Sequence, residues 1–248
     1  MSLPVFAAVF LAAASLAYFE WGGLAGLERG GLWAYLLLYW VCAGCLWFVP
    51  GAGVWVLLAA LLFWLWACIQ VLRFPRSGGP LKRGWLVAGM GLLVFLAAWQ
   101  SLVSLKALPQ GAWLLVWVFV LVWGADIGGY FAGKAWGKRA LAARVSPGKT
   151  WEGACGGLAL AMLVALSMVW LIPAYHQVEF SAAQWLGIAL LLVGLSMMGD
   201  LFESVLKRVR GVKDSGGIMP GHGGLLDRVD ALIAVLPVFA LIMSDYQN

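Results

Sequence analysis

The stretch Trp185–Gly211 reads WLGIALLLVGLSMMGDLFESVLKRVRG, and its two ends suit different solvents. Up to Gly199 it is uncharged and greasy. From Asp200 onward, acids and bases alternate with apolar residues. A helix of roughly 20 apolar residues crosses the hydrocarbon of a bilayer, so about 185–203 predicts a membrane span. Continued as helix to Gly211, at 100° per residue, the same segment puts Asp200, Glu203, Ser204, Lys207 and Gly211 on one stripe. Leu201, Phe202, Val205, Leu206 and Val209 cover the other side. An ordinary amphipathic helix end would look similar. An acid at membrane depth argues for a site instead, because ionised groups there are costly.

The rest of the chain agrees with a bilayer as solvent. Of 248 residues, 64% are hydrophobic and 11% charged, against about 25% charged in soluble domains. Sixteen tryptophans fit that class, since Trp favours the headgroup level. The predicted fold is an all-α, polytopic integral membrane protein with about eight spans, near 3–19, 31–49, 52–72, 85–105, 112–132, 151–173, 185–203 and 229–244. The N-terminal stretch has no basic n-region and reads as a retained helix, not a cleaved leader. Residues 1–110 form an N-terminal set of spans; 111–248 form a second region with loops 133–150 and 204–229.

Of the 16 basic residues, Lys106 alone falls outside the loops that follow the first, third, fifth and seventh spans. Basic loops prefer the cytoplasm, so both termini face outward and the charged machinery faces inward. The net charge of +5 has this topogenic explanation. No run of like charge is long enough for a nucleic-acid arm. Cys42 and Cys45 form a C-x-x-C inside an apolar run without His or acid nearby, and read as packing residues. His176 lies in an outward loop and reads as inert.

After Gly211 the sequence turns to GVKDSGGIMPGHGG, then to LLDRVDALIAVLPVF. Gly and Pro forbid regular helix in the first part, and Gly-rich turns expose backbone N–H groups that can cradle phosphate. Asp227 and Asp230 are three apart, so they share a helix face. Two close carboxylates repel unless a cation lies between them. With Asp200 they suggest Mg²⁺ or a similar hard cation, which takes oxygen ligands; salt bridges to Lys207, Arg208 or Arg228 are the alternative. Zinc lacks a Cys/His set. Upstream, Asp126 lies within or at the inner end of a span, as a site residue or a helix-packing partner. Gly129/Gly133 and Gly153/Gly157 read as close helix packing. The string PGKT at 147–150 is not a P-loop, because Ala143 stands where its first Gly belongs. Lys149 binds phosphate or is a plain topogenic charge.

Together these residues resemble a known family. The order Ser204, Lys207-Arg208, Lys213-Asp214, Pro220-Gly221-His222-Gly223-Gly224, Asp227-Arg228-Val229-Asp230 is similar to the signature of phosphatidate cytidylyltransferases, also called CDP-diacylglycerol synthases. Asp126 through Gly133, with Gly137-Lys138, and Ser146 through Gly153 are similar to two further segments of that family. The likeness covers roughly 112–244; the first 110 residues match in hydrophobicity alone.

The resemblance implies a nucleotidyltransferase of phospholipid synthesis. CTP and phosphatidic acid would give CDP-diacylglycerol and pyrophosphate, at the cytoplasmic side of a bacterial inner membrane. The lipid phosphate is its own nucleophile, and the difficulty is electrostatic. On this reading Asp200, Asp227 and Asp230 hold Mg²⁺, with Asp214 as ligand or support and the need for a second cation open. Lys207, Arg208, Lys213 and Arg228 neutralise phosphates, and His222 donates a hydrogen bond to one. Asp126, Ser146, Lys149, Thr150, Glu152, Ser204, Gly223 and Gly224 belong to the nucleotide side, with cytidine recognition near Ser146–Glu152. A lateral opening between helices admits the lipid. Family analogy and apolar excess alone suggest a homodimer. A CDP-alcohol phosphatidyltransferase is the enzymatic rival, but its D-G-x-x-A-R…G…D-x-x-x-D pattern is absent. A transporter or channel with an acidic ion path is the other, but paired halves with interrupted helices are not apparent.

The charge alternation can be tested directly. In a background without native cysteines, Gly79→Cys and Gly148→Cys should react with a membrane-impermeant thiol reagent only from the cytoplasmic side. Pro109→Cys should react only from the outside; the reverse pattern would invert the topology.

Overall fold

A computed structural model describes residues 1–171, 180–217 and 223–245 of the chain. In chain order the elements are α1 (Leu3–Leu24), α2 (Arg29–Phe48), α3 (Ala52–Arg73), the short α4 (Gly78–Leu81), α5 (Gly84–Ala107), α6 (Gly111–Trp136), β1 (Ala140–Ala142), β2 (Ser146–Thr150), α7 (Trp151–Leu171), α8 (Ala182–Arg210) and α9 (Leu226–Asp245). Among the described residues, eight helices of 20 residues or more overlap the eight predicted apolar stretches. By length and composition, α1, α2, α3, α5, α6 and α8 suffice to cross a membrane. In α7 the apolar stretch Trp151–Ser167 is shorter, and α9 carries Asp227, Arg228 and Asp230 near its start.

Length separates α8 from its neighbours. Its 29 residues, at 1.5 Å each, extend about 43 Å, whereas the hydrocarbon is about 30 Å thick. A capping box starts it: Ser181 Oγ accepts from Gln184 N at 3.3 Å and Gln184 Oε1 accepts from Ser181 N at 2.8 Å. Gly211, in the left-handed conformation with φ 71°, ends it. The polar stripe therefore lies on the last turns of a helix that outruns the hydrocarbon. Phe202, on the apolar side of those turns, packs between the rings of Phe63, Trp64 and Trp66 on α3.

The basic connections meet at one end of the bundle. Arg210 Nη2 donates to Ala25 O just after α1 at 2.9 Å. Val209 lies against Gly78 in the α3–α5 connection. Arg208 Nε donates to Val145 O, between β1 and β2, at 3.1 Å. Helices from the two sides of residue 110 also pack together: α5 lies against α1, α3 and α9, and α3 against α8 and α9. Indoles stitch α1 to α5, with Trp21 Nε1 donating to Val87 O at 2.8 Å and Trp99 Nε1 to Ala7 O at 2.9 Å. Trp therefore serves the core, while Trp33, Trp55, Trp85 and Trp170 are exposed on the outside of the helices. All four cysteines are free.

Two features differ from the sequence expectation. Part of the loop 133–150 is ordered into α6, which runs to Trp136, and into an antiparallel hairpin pairing Ala140 with Thr150 and Ala142 with Ser146. Its strands are too short for a periodic signal, and tertiary bonds to Val145 O and Glu152 secure it. The glycine-mediated packing is also broader than the two G-x-x-x-G pairs. An added Cβ at Gly156 would fall 2.1 Å from Ala132 Cβ, one at Gly157 2.5 Å from Ala125 O, and one at Gly128 2.7 Å from Gly156 O. Small residues let α6 and α7 touch backbone to backbone.

Gly157→Ala should push these helices apart and destabilise the fold by about 1–3 kcal/mol, lowering the midpoint of thermal unfolding in detergent. Gly187→Ala, where a methyl would meet nothing within 4 Å, should leave that midpoint unchanged. Equal midpoints for both variants would refute close packing as the role of Gly157.

Candidate active site

A cleft of about 840 Å³ opens among α6, β2, α7, α8 and α9. Its walls are graded. Trp123, Leu158, Val193, Met197 and Leu232 line an apolar part. Asp126, Lys149, Asp200, Asp227, Arg228 and Asp230 line a polar part. The gradient follows from α8 itself, which contributes Val193 and Met197 before Asp200.

Beside the cleft, three carboxylates from two helices converge; Asp200 and Asp230 line it and Glu203 is buried behind them. Asp200, Glu203 and Asp230 each bring a ligand oxygen within 4.8 Å of the others. Glu203 is 1% exposed and Asp230 7% exposed. The close approach of α8 to α9 depends on Gly199, where a Cβ would lie 2.7 Å from Asp230 O and 2.8 Å from Ala234 Cβ. Hard divalent ions bind oxygens at roughly 2.0–2.6 Å, so oxygens around one ion lie up to about 4–5 Å apart. The donor set fits such an ion.

Two lysines hold the acids in place. Lys149, from β2, is ion-paired with Asp200 of α8. Lys207 Nζ donates to Glu203 Oε2 at 2.6 Å, one turn earlier, and to Asp227 Oδ1 at 2.5 Å on α9. Asp227 is further committed by its other oxygen, which accepts from Gly224 N at 2.8 Å and Ser215 N at 3.2 Å. The three-residue spacing thus brings Asp230 to the acidic group, while Asp227 turns back to Lys207 and the Gly-rich loop. In the described part of that loop, two backbone amides cradle a carboxylate of the chain itself. Gly223 has φ 80°, a backbone conformation suited to glycine.

The other predicted residues fall into distinct settings. Arg208 reaches the hairpin at Val145 O. Ser204 is buried on α8. Lys213 and Asp214 lie on the exposed turn after α8. His222 and His176 are outside the described residues. Lys149 and Thr150 line the cleft, and Thr150 Oγ1 also accepts from Gly153 N at 3.1 Å, which caps α7. Glu152 accepts from Lys138 N at 3.1 Å and Arg139 N at 3.2 Å, closing the base of the hairpin. Ser146 stands in β2.

Glu203 is the residue that sequence reasoning passed over as a ligand. It was visible on the stripe with Asp200, but its i,i+4 spacing to Lys207 reads as an ordinary helical ion pair. Glu20 in α1 was also passed over, and nothing local in its apolar helix signals a partner. It accepts from Leu226 N at 2.8 Å, 206 residues away in sequence.

With this geometry in view, comparison with known proteins is informative. Residues 1–245 match the model of the cytidylyltransferase family, so the likeness extends through the N-terminal spans as well as the signature region. A phosphatidate cytidylyltransferase of Pseudomonas aeruginosa is 47% identical over 240 residues, covering 96% of this chain and 88% of that protein. One of Haemophilus influenzae is 38% identical over 194 residues, covering 75% and 67%. One of Staphylococcus aureus is 42% identical over 136 residues, covering 54% and 50%.

The lysine bridge should be a large part of local stability. Side-chain exposures are 13% for Lys207, 2% for Glu203 and 17% for Asp227. Breaking such a buried pair by removing one partner costs about 3–5 kcal/mol. Lys207→Met should lower the thermal midpoint accordingly, and adding Glu203→Gln should restore part of the loss. A double variant no more stable than Lys207→Met alone would rule out charge compensation as the cause.

Proposed function

The chain belongs to the cytidylyltransferase family, and we propose that the graded cleft is where it transfers the cytidylyl group of CTP to phosphatidate. The products are CDP-diacylglycerol and pyrophosphate. The observation that carries this reading is a cleft lined by Asp200, Asp230, Lys149 and Arg228 and by apolar residues, with buried Glu203 converging on the two acids. Mobile nucleotide chemistry and an insoluble lipid need both kinds of surface. The apolar part keeps the glycerol end of phosphatidate in a membrane-like setting, and the polar part receives the triphosphate.

In the transfer, an anionic oxygen of the phosphatidate headgroup attacks the α-phosphorus of CTP. The bond from that phosphorus to the oxygen bridging to the β-phosphorus breaks, and pyrophosphate leaves with the electron pair. The nucleophile is already ionised near neutral pH, so no side chain need remove a proton. What the chain supplies is charge and position. Lys149 from β2, which also pairs with Asp200, and Arg228 from α9 line the cleft and would present positive charge to phosphate oxygens. Asp200, Glu203 and Asp230 would hold Mg²⁺, which supplies charge neutralisation and orientation of phosphate oxygens. Lys207 keeps Glu203 and Asp227 together, so that the last turns of α8 and the first turn of α9 move as one.

The site faces the cytoplasm on this reading, because the basic connections gather at its end of the bundle. The named relatives are bacterial, which fits an inner membrane with CTP on that side.

The assay is conversion of phosphatidate by purified protein in detergent with CTP and Mg²⁺. Asp200→Asn, Glu203→Gln and Asp230→Asn should each lower kcat/KM by about 10²-fold or more, and Glu203→Gln should raise the Mg²⁺ concentration for half-maximal rate. Asp227→Asn should slow the reaction without that shift. An equal Mg²⁺ shift for Asp227→Asn would move Asp227 into the ligand set, and absence of CDP-lipid with wild-type protein would overturn the transferase reading.

A further inference from the structure

Helix α9 begins at Leu226 without a conventional cap. The first backbone N–H groups of a helix have no intrahelical acceptor, and the residue before α9 is Leu225, whose side chain has no oxygen to offer. The acceptor comes from α1. Glu20, 5% exposed, takes the Leu226 N–H on Oε2 at 2.8 Å. Two glycines of the signature loop close around the same carboxylate. An added Cβ would lie 2.2 Å from Glu20 Oε1 at Gly216 and 2.6 Å from Glu20 Oε2 at Gly224. Gly224 in turn donates its N–H to Asp227 at 2.8 Å. One buried acid thus touches the loop on both sides of the undescribed residues 218–222, and the helix that follows.

We propose that Glu20 is a positioning residue: its carboxylate fixes the start of α9, and so the directions in which Asp227 and Asp230 leave the first turn. The proposal rests on the transferase reading for its catalytic consequence, but the contact itself has a separate readout. It also gives the N-terminal region a role at the reaction site. Glu20 is a carboxylate in an otherwise apolar helix, where an ionisable group is expensive unless it is partnered. A negative group at a helix start is favoured by the exposed amides and the helix dipole.

The test compares Glu20→Leu and Glu20→Gln with wild-type full-length protein. Hydrogen–deuterium exchange of a peptide spanning 223–230 is measured alongside kcat, KM for each substrate and the Mg²⁺ requirement. A lost hydrogen bond to a charged acceptor corresponds to about 10- to 100-fold. Glu20→Leu should therefore speed exchange in this peptide by about that factor. It should lower kcat by a similar factor and raise the Mg²⁺ requirement, with KM for phosphatidate unchanged. Glu20→Gln, which keeps a carbonyl acceptor of the same reach, should recover most of both. Wild-type exchange and kinetics in Glu20→Leu would overturn the proposal. If Glu20→Leu does not fold, Gly216→Ala tests the same contact from the loop side: faster exchange at 223–230 with lower kcat supports it, and wild-type values overturn it. If wild-type protein forms no CDP-lipid, the transferase reading fails, while exchange still decides whether Glu20 holds α9.

Discussion

Carboxylates buried among apolar helices must be compensated by something other than water, and much of this structure answers that need. Glu203 is almost fully buried, Asp230 nearly so, and Asp200 lies beside both. An isolated ionised carboxylate in such surroundings would be severely penalised. Lys207 binds Glu203 and Asp227, Lys149 binds Asp200, and backbone amides of Ser215 and Gly224 bind Asp227. Each compensating group comes from a different place in the chain. The charges therefore act as fasteners: the Glu203–Lys207 pair forms within α8, but Asp200 and Asp227 are satisfied only when α8, α9, the hairpin and the Gly-rich loop have assembled.

The same requirement connects the two regions. Glu20 of α1 satisfies the start of α9, and Arg210 at the end of α8 reaches Ala25 beyond α1. Apolar packing reinforces these links: α5 is covered by α1, α3 and α9, and Phe202 of α8 sits among the rings of α3. The N-terminal helices are thus more than a hydrophobic anchor. They form part of the wall against which the cleft residues are held, consistent with a family match that begins at residue 1.

Close glycine contacts do the corresponding work where no charge is involved. Gly128, Gly156 and Gly157 let α6 meet α7, and Gly199 lets α8 meet α9. Between those tight pairs the cleft remains open, graded from apolar to charged. On the proposed function, a substrate with acyl chains at one end and phosphate at the other would meet matching surfaces there. The gradient follows from α8, whose apolar Val193 and Met197 precede Asp200 along the cleft.

Much of this was legible one segment at a time. Eight apolar stretches match eight helices among the described residues, six of them long and apolar enough to cross a membrane, because a span must satisfy its own backbone and therefore declares itself locally. The α8 stripe, the convergence of Asp200 with Asp230, and the signature residues could likewise be read from spacing and resemblance. Partner choice could not. Asp227 and Asp230 look equivalent at a spacing of three, yet one binds Lys207 and loop amides while the other joins Glu203 and Asp200. The spacing of Glu203 to Lys207 fits a local ion pair, and the apolar neighbours of Glu20 in the sequence name no partner. The β1–β2 hairpin carries no strand pattern in its sequence, because Arg208 and Glu152 secure it from outside the strands. The sequence by itself determined the solvent, the helices and the kinds of charge available, since each depends on neighbours within a few turns. Tertiary structure decided which charges meet, because a hydrogen bond spanning 206 residues leaves no periodic trace along the chain.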